Sequence, residues 1–104
     1  MTTDALIDRD PERIAATVRA IVRTHKALWA DPTRAAEVGK RRFPPDAAEL
    51  ITTIIERDLP FYDAAISEKS VNELNRFAQS IGLLAEPVAY EQVVAVQFRD
   101  LWRL

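Results

Sequence analysis

The sequence predicts an all-α protein: four amphipathic helices in a small bundle, followed by a short helical or extended C-terminal tail. Apolar residues recur at helical spacing over most of the chain. Steps that combine aspartate with proline, which favour helix starts, precede three of these periodic stretches. No strand pattern is convincing before residue 88, so residues 1–104 are interpreted as one helical domain.

The first predicted helix begins at Asp10-Pro11 and ends near Ala30. Asp10 is a preferred N-cap, and Pro11 fits the first helical position, because the N–H that proline lacks would have no partner there. At about 100° per residue, six apolar residues then share an arc of roughly 120°. They are Ile14, Val18, Ile21, Val22, Leu28 and Trp29. This arc predicts a helix with one face in the core.

Asp31-Pro32 and Pro44-Pro45-Asp46 start the second and third predicted helices. The second carries small alanines, which predict a close approach to a neighbour, and it ends on Lys40–Arg42, whose charges suit a helix C-terminus. The third has an apolar face and should stop by Asp58 or Leu59, because Pro60 disfavours helical geometry in the residue before it.

The fourth predicted helix has Ser67 as a candidate N-cap and Gly82 as the left-handed residue after its end. One face is apolar and consists of Val71, Leu74, Phe77, Ala78 and Ile81. The tail opens at Pro87. Residues 90–94 form a short helical turn, which we favour, or residues 88–90 and 93–98 are extended.

Composition excludes several classes of function. The chain has 14 basic and 16 acidic residues, so it lacks the basic surplus that a nucleic-acid partner normally requires. Without cysteine it has neither a disulfide nor a thiolate metal site. No apolar run approaches the roughly 20 residues of a membrane span, so we expect no membrane insertion. The N-terminal residues do not resemble a signal peptide, which predicts a cytoplasmic chain if it is expressed as written.

No catalytic residue, metal ligand or cofactor is predicted, and we expect no enzyme. His25, the single histidine, falls within the apolar stripe of the first helix. It is either a buried pH switch or ligand group, or, as we favour, a packed histidine that has a backbone or hydroxyl partner or lies at the edge of the core. The acidic pairs Asp8/Asp10 and Glu56/Asp58 are interpreted as caps or solvated faces, and Lys40–Arg42 as a charged helix end rather than an anion site.

An ordered set of motifs resembles one known family. An alanine-rich helix ends in Ala27-Leu28-Trp29-Ala30, and Asp31-Pro32-Thr33-Arg34-Ala35-Ala36-Glu37 follows at once. Leu59-Pro60-Phe61-Tyr62-Asp63, Ile81-Gly82-Leu83-Leu84 and Pro87-Val88-Ala89-Tyr90 come later. Together they are similar to the C-terminal part of ABC-transporter substrate-binding proteins of the nitrate/sulfonate/taurine/bicarbonate class, over about residues 3 to 98.

The resemblance implies a role in capturing a small solute for an ABC importer, outside the cytoplasmic membrane. Members of that class have two α/β lobes with the ligand cleft between them, and this chain resembles only their helical end. The ligand-binding residues are therefore unknown. The resemblance implies either a fragment of a longer protein or a helical piece reused on its own, with the rest of a solute-binding protein and an ABC permease as partners.

Self-association is a further expectation. Amphipathic helices without a sheet to pack on would leave apolar surface uncovered, which favours a homodimer or a swapped assembly. The apolar tail places this contact at Phe98, Leu101 and Trp102.

Overall fold

The computed structural model describes residues 1–103, which fold into helices with no strand among them. The α-helices are α1 (Asp4–Arg9), α2 (Pro11–Ala30), α3 (Thr33–Arg42), α4 (Pro45–Asp58), α5 (Glu68–Ser80) and α6 (Tyr90–Val93). Two 3₁₀ helices, Leu59–Phe61 and Val96–Arg103, follow α4 and α6. The all-α class is confirmed. The count of four helices is not, because the described residues also form two short α-helices and two 3₁₀ helices.

The predicted caps explain where the long helices begin and end. The Asp10 carboxylate accepts a hydrogen bond from the Arg13 N–H at 3.1 Å and caps α2. The Ser67 hydroxyl accepts one from the Ser70 N–H at 3.0 Å and caps α5. Gly82, with φ of 77°, ends α5 in the left-handed region that glycine tolerates. The structure confirms these predicted caps. They could be predicted from the sequence because each cap depends on residues only a few positions apart.

Helices α3 and α4 form a closely packed antiparallel hairpin. Ala35, Gly39 and Ala48 are buried at their contact, which confirms the predicted close approach of the small residues in this region. A Cβ atom on Gly39 would lie 3.5 Å from Ala48 Cα, at ordinary van der Waals distance. The two backbones therefore approach closely because these side chains are small.

This contact predicts opposite effects for two substitutions of Gly39. Gly39→Ala should stabilise the protein by roughly 0.5–1 kcal/mol, because alanine favours helix and its Cβ fits the available space. Gly39→Leu should destabilise it by about 1–3 kcal/mol, because its bulk would force α3 and α4 apart. Urea unfolding followed by circular dichroism measures both changes. A neutral Gly39→Leu variant would contradict the close packing.

Asp31 joins α2 to α3 with a local hydrogen-bonded turn. Its Oδ1 accepts the Thr33 hydroxyl at 2.6 Å and the Thr33 N–H at 3.0 Å. These two donors hold the pKa of the Asp31 carboxyl below its usual value, with the side-chain hydrogen bond the larger cause. Helix α3 begins at Thr33, one residue after the predicted proline start.

The lowered pKa of Asp31 predicts a pH-dependent stability. The folded carboxyl has the lower pKa, so its stabilisation is present at neutral pH and is lost as the pH falls below about 4 and through the lowered pKa. We expect the gap in urea midpoint between wild type and Asp31→Ala to narrow at acidic pH. Thr33→Val keeps the shape of the side chain but removes the hydroxyl donor. At neutral pH it should therefore lower the urea midpoint by part of the amount that Asp31→Ala does. A gap that does not change with pH would contradict this account.

The molecule is more open than a compact chain of its size. Its radius of gyration is 16.9 Å, against about 13 Å for a globular domain of this length. Helix α2 packs against the C-terminal 3₁₀ helix Val96–Arg103, whereas α5 packs against α6. A single four-helix bundle is therefore not confirmed, and the cores around α2 and around the α3–α4 hairpin are small.

Candidate interaction surfaces

Helix α5 carries an uncovered apolar stripe, which we define as Leu74, Phe77 and Ile81. Their side chains are 67%, 60% and 52% exposed. At 100° per residue they lie within an arc of about 60°, and no charged residue of α5 shares that arc. Glu73 lies at its edge and pairs with Lys69 at 3.7 Å. The sequence predicts this apolar face correctly, but the structure leaves most of it bare.

The adjoining edge of the same apolar face of α5 is covered by the returning chain. Val71 and Asn75 are buried there, and Asn75 is the buried polar residue of this contact. Asn75 Nδ2 donates to the Val88 carbonyl at 2.8 Å, and the Val88 N–H donates to Asn75 Oδ1 at 3.0 Å. This two-bond clamp satisfies both backbone groups of Val88 and fixes the chain before α6 along α5.

Asn75 was missed in the sequence analysis, although a signal for it exists. It follows Val71 by four residues and precedes Ala78 by three, so it borders the apolar face of the helix. A polar residue in such a place is costly unless it finds partners, which points to a specific hydrogen bond. The partner lies 13 residues away, and only the folded chain identifies it.

Tyr90 provides a second anchor for the returning chain. Its hydroxyl donates to the Ile66 carbonyl at 2.6 Å, which ties α6 to the segment before α5. The Arg99 guanidinium lies 5.9 Å from the centre of the Tyr90 ring, within the range of a cation–π contact. Tyr90 therefore connects the α5 region to the C-terminal 3₁₀ helix.

The tail residues predicted to mediate self-association contact their own chain. Phe98 is buried, and Leu101 and Trp102 are half-buried. All three belong to the C-terminal 3₁₀ helix, which packs against α2. A self-association through these residues stays a prediction, and α5 presents a more exposed apolar surface.

An open groove of about 940 Å³ runs beside this tail. Its walls come from the N-terminal residues, from α2 and from the C-terminal stretch between Glu91 and Trp102. They include Ile14, Val18, Phe98 and Trp102. The lining is mixed and mostly apolar, and the groove opens widely to solvent.

His25 is half-buried against an aromatic ring. Its ring centroid lies 5.2 Å from that of Tyr62, with the planes tilted by 35°. Within residues 1–103, no group of three or more potential ligands is arranged to hold a metal ion. His25 therefore lies half-buried against the Tyr62 ring, which agrees with the predicted place at the edge of the core.

The charged clusters adopt local roles. Lys40–Arg42 is exposed in the last turn of α3, and the Arg41 Nε donates to the Glu37 carbonyl at 3.4 Å. Asp58 pairs with Arg57 at 2.7 Å, and this hydrogen bond lowers the pKa of the Asp58 carboxyl. Asp10 is the α2 cap described above.

Apolar exposure is not confined to α5. Side chains on α2 and α4, and after α4, are also more than a third exposed: Ile21, Trp29, Leu50, Ile54 and Phe61. The chain exposes 8207 Å², whereas a compact monomer of 11.8 kDa would expose about 5,900 Å². The excess of roughly 2,300 Å² reflects the open arrangement of the helices, whose radius of gyration is 16.9 Å.

None of the helices among the described residues is both long enough and apolar enough to cross a membrane. Comparisons with protein-family models, with curated proteins and with solved structures found no match to this chain.

Proposed function

We propose that this chain is the C-terminal helical segment of a periplasmic-type solute-binding component of an ABC importer. The solutes would be small and anionic, such as sulfonates, taurine or nitrate. The segment is non-catalytic, needs no cofactor and acts outside the cytoplasmic membrane as part of the larger component. Its partners are the rest of the solute-binding protein and, through it, an ABC permease. It binds no nucleic acid and does not insert into the membrane.

The observation that carries this proposal is the uncovered apolar surface of α2 and α4. An ordinary globular composition, with 48% hydrophobic residues, would normally allow a chain to bury such faces itself. Here Ile21 and Trp29 on α2, and Leu50 on α4, remain about half exposed or more. Faces of this kind belong to helices that close against a larger body.

The ordered motifs of the resemblance add a second support. The Trp29-to-Pro32 junction and the Gly82 end of α5 fall at helix boundaries of this fold. In the complete protein, α2 to α5 would form one amphipathic four-helix end, packed on the sheets of the α/β lobes. The ligand contacts would lie on those lobes, and for this reason we assign no ligand-binding residue to the present chain.

The decisive test is the genomic sequence upstream of the Met1 codon. We expect an in-frame region with alternating strand and helix patterns behind a secretion signal. The longer product should gain thermal stability with taurine, nitrate or an alkyl sulfonate, because a ligand that binds the native state stabilises it. The 104-residue chain alone should show no shift. An in-frame stop codon directly upstream, with its own ribosome-binding site, would contradict the proposal.

The alternative is a free-standing helical dimerisation or protein-interaction module without a small-molecule site. The α5 stripe favours this alternative, since a bare, uncharged helix face is typical of a docking surface. The stop codon and ribosome-binding site that would contradict the transport role would support this module instead.

A further inference from the structure

Helices α3 and α4, with the short 3₁₀ helix that follows α4, form a unit that we call the arm (Thr33–Phe61). Its two long helices pack closely on each other, whereas α4 makes no comparable contact with α1, α2, α5 or α6 among the described residues. The side-chain hydrogen bonds that leave the arm within residues 1–103 all go to Asp31, the residue that joins it to α2. The arm is therefore a packing unit of its own.

The apolar side chains of the arm do little to attach it to the rest of the molecule. Four large ones are more than a third exposed: Val38, Phe43, Leu50 and Ile54. Trp29, at the end of α2 where the arm begins, is also about half exposed. The C-terminal 3₁₀ helix differs, because its Phe98 is buried where that helix packs against α2. Two units without a large apolar interface are expected to move relative to each other.

Asp31 has the geometry of a pivot, because its hydrogen bonds divide between the two sides of its N–Cα bond. Its N–H donates to the Ala27 carbonyl in α2 at 3.0 Å. Its carboxylate and its carbonyl accept hydrogen bonds from Thr33 and Arg34, which belong to the arm. Rotation about the N–Cα bond would change the direction of the arm and break none of these bonds. Asp31 has extended backbone geometry, with φ of −154°, in a region that tolerates a wide range of φ.

Tyr62 holds the other end of the arm against α2. It follows the arm directly, and its ring packs on His25 with the centroids 5.2 Å apart. His25 precedes Asp31 by six residues, or about 9 Å along α2, so this second attachment opposes rotation about Asp31. Residues 63–65, which lie outside any helix, come next, and the Ile66 carbonyl then accepts the Tyr90 hydroxyl. If the rings separate, residues 63–65 supply the slack that a pivoting arm requires.

We propose that the arm pivots on Asp31 as a rigid unit and that the His25–Tyr62 contact is the latch that holds it in the observed position. Hinges of this kind use a few residues at the ends of helices, as Asp31 does. A single pair of rings is a weak contact, so the latch is reversible, and its loss should raise the fraction of open molecules about twofold to tenfold. The inference does not depend on the solute-binding role.

Distances between pairs of spin labels, measured by pulsed electron paramagnetic resonance, test this proposal. The chain has no cysteine of its own, so labels attach only at introduced cysteines. Ala20→Cys with Asp46→Cys joins α2 to the arm, and Arg34→Cys with Asp46→Cys is a control pair within the arm; all three positions are exposed. We expect Tyr62→Ala to shift the α2–arm pair toward a second distance, by about twofold to tenfold in population, and to leave the control pair narrow.

Tyr62→Phe is the matched control variant, because it keeps the ring, and its distances should match those of the wild type. Circular dichroism checks that each variant is folded, and His25→Ala, which removes the other ring, serves if Tyr62→Ala loses its helices. An α2–arm distribution that removal of a ring leaves unchanged, whether narrow or broad, would overturn the inference. A control pair that broadens as much as the α2–arm pair would also overturn it, because the arm would then be unfolding rather than pivoting.

Discussion

Phe98→Ala is expected to destabilise the protein by about 3–4 kcal/mol, the largest loss among the single truncations considered. Phe98 is 8% exposed and belongs to the 3₁₀ helix that packs against α2. Removing its ring deletes apolar contacts and leaves a cavity beside α2, because the 3₁₀ helix cannot collapse fully into the gap. Since small domains are stable by only about 5–15 kcal/mol, this loss should detach the tail well before α3 and α4 unfold.

Urea unfolding monitored by tryptophan fluorescence measures this effect, because Trp102 lies on the same 3₁₀ helix. The matched control is Phe61→Ala. Phe61 is the same residue type in an exposed place, so its truncation should change the free energy of unfolding by no more than about 0.5 kcal/mol. Equal losses in both variants would mean that the tail contributes little to holding α2.

Asn75→Ala is expected to cost about 2–3 kcal/mol, nearly as much as the loss of the Phe98 ring. The substitution removes both hydrogen bonds to Val88 and leaves its N–H and carbonyl without their partners in a partly buried place. Unsatisfied backbone groups are costly because neither protein nor bulk water replaces the lost bonds. The chain around Val88 should loosen first, since this clamp attaches it to α5.

Hydrogen exchange at the Val88 amide gives the local measurement, and urea unfolding gives the global one. Asn72→Ala on the same helix is the control, because Asn72 is exposed and, unlike Asn75, does not bond to Val88. We expect faster exchange at Val88 only in the Asn75 variant. Unchanged protection at Val88 would show that the clamp is not what holds the returning chain.

Sequence reasoning predicted the limits of the long helices because their signals are local. Asp10-Pro11, Ser67 and Gly82 each act within one helical turn, and the structure places the corresponding caps within a residue or two. The short turn at residues 90–93 followed the favoured helical alternative. The limits of α3 shifted by one residue, because Asp31 forms a turn with Thr33 before the helix begins.

Helix α1 was missed, and the helical form of the C-terminal tail was left open, for a related reason. Helix α1 spans only six residues, Asp4–Arg9, too few for an apolar period to become visible, although the Thr3 hydroxyl accepts from the Leu6 N–H at its start. The 3₁₀ helix Val96–Arg103 lies in a stretch whose apolar residues fit either a helical or an extended tail. In the structure the tail is helical and packs on α2, a contact that no local signal in the sequence encodes.

The sequence by itself determined that this chain is helical, where each long helix begins and ends, and which side of each helix is apolar. Only the tertiary structure decided which of those apolar sides is covered, because burial depends on neighbours that are distant along the chain. Thus Val71 and Leu74, three residues apart on the same predicted face, end up buried and two-thirds exposed. The Asn75–Val88 hydrogen bonds set that difference, since they fix which side of α5 meets the returning chain.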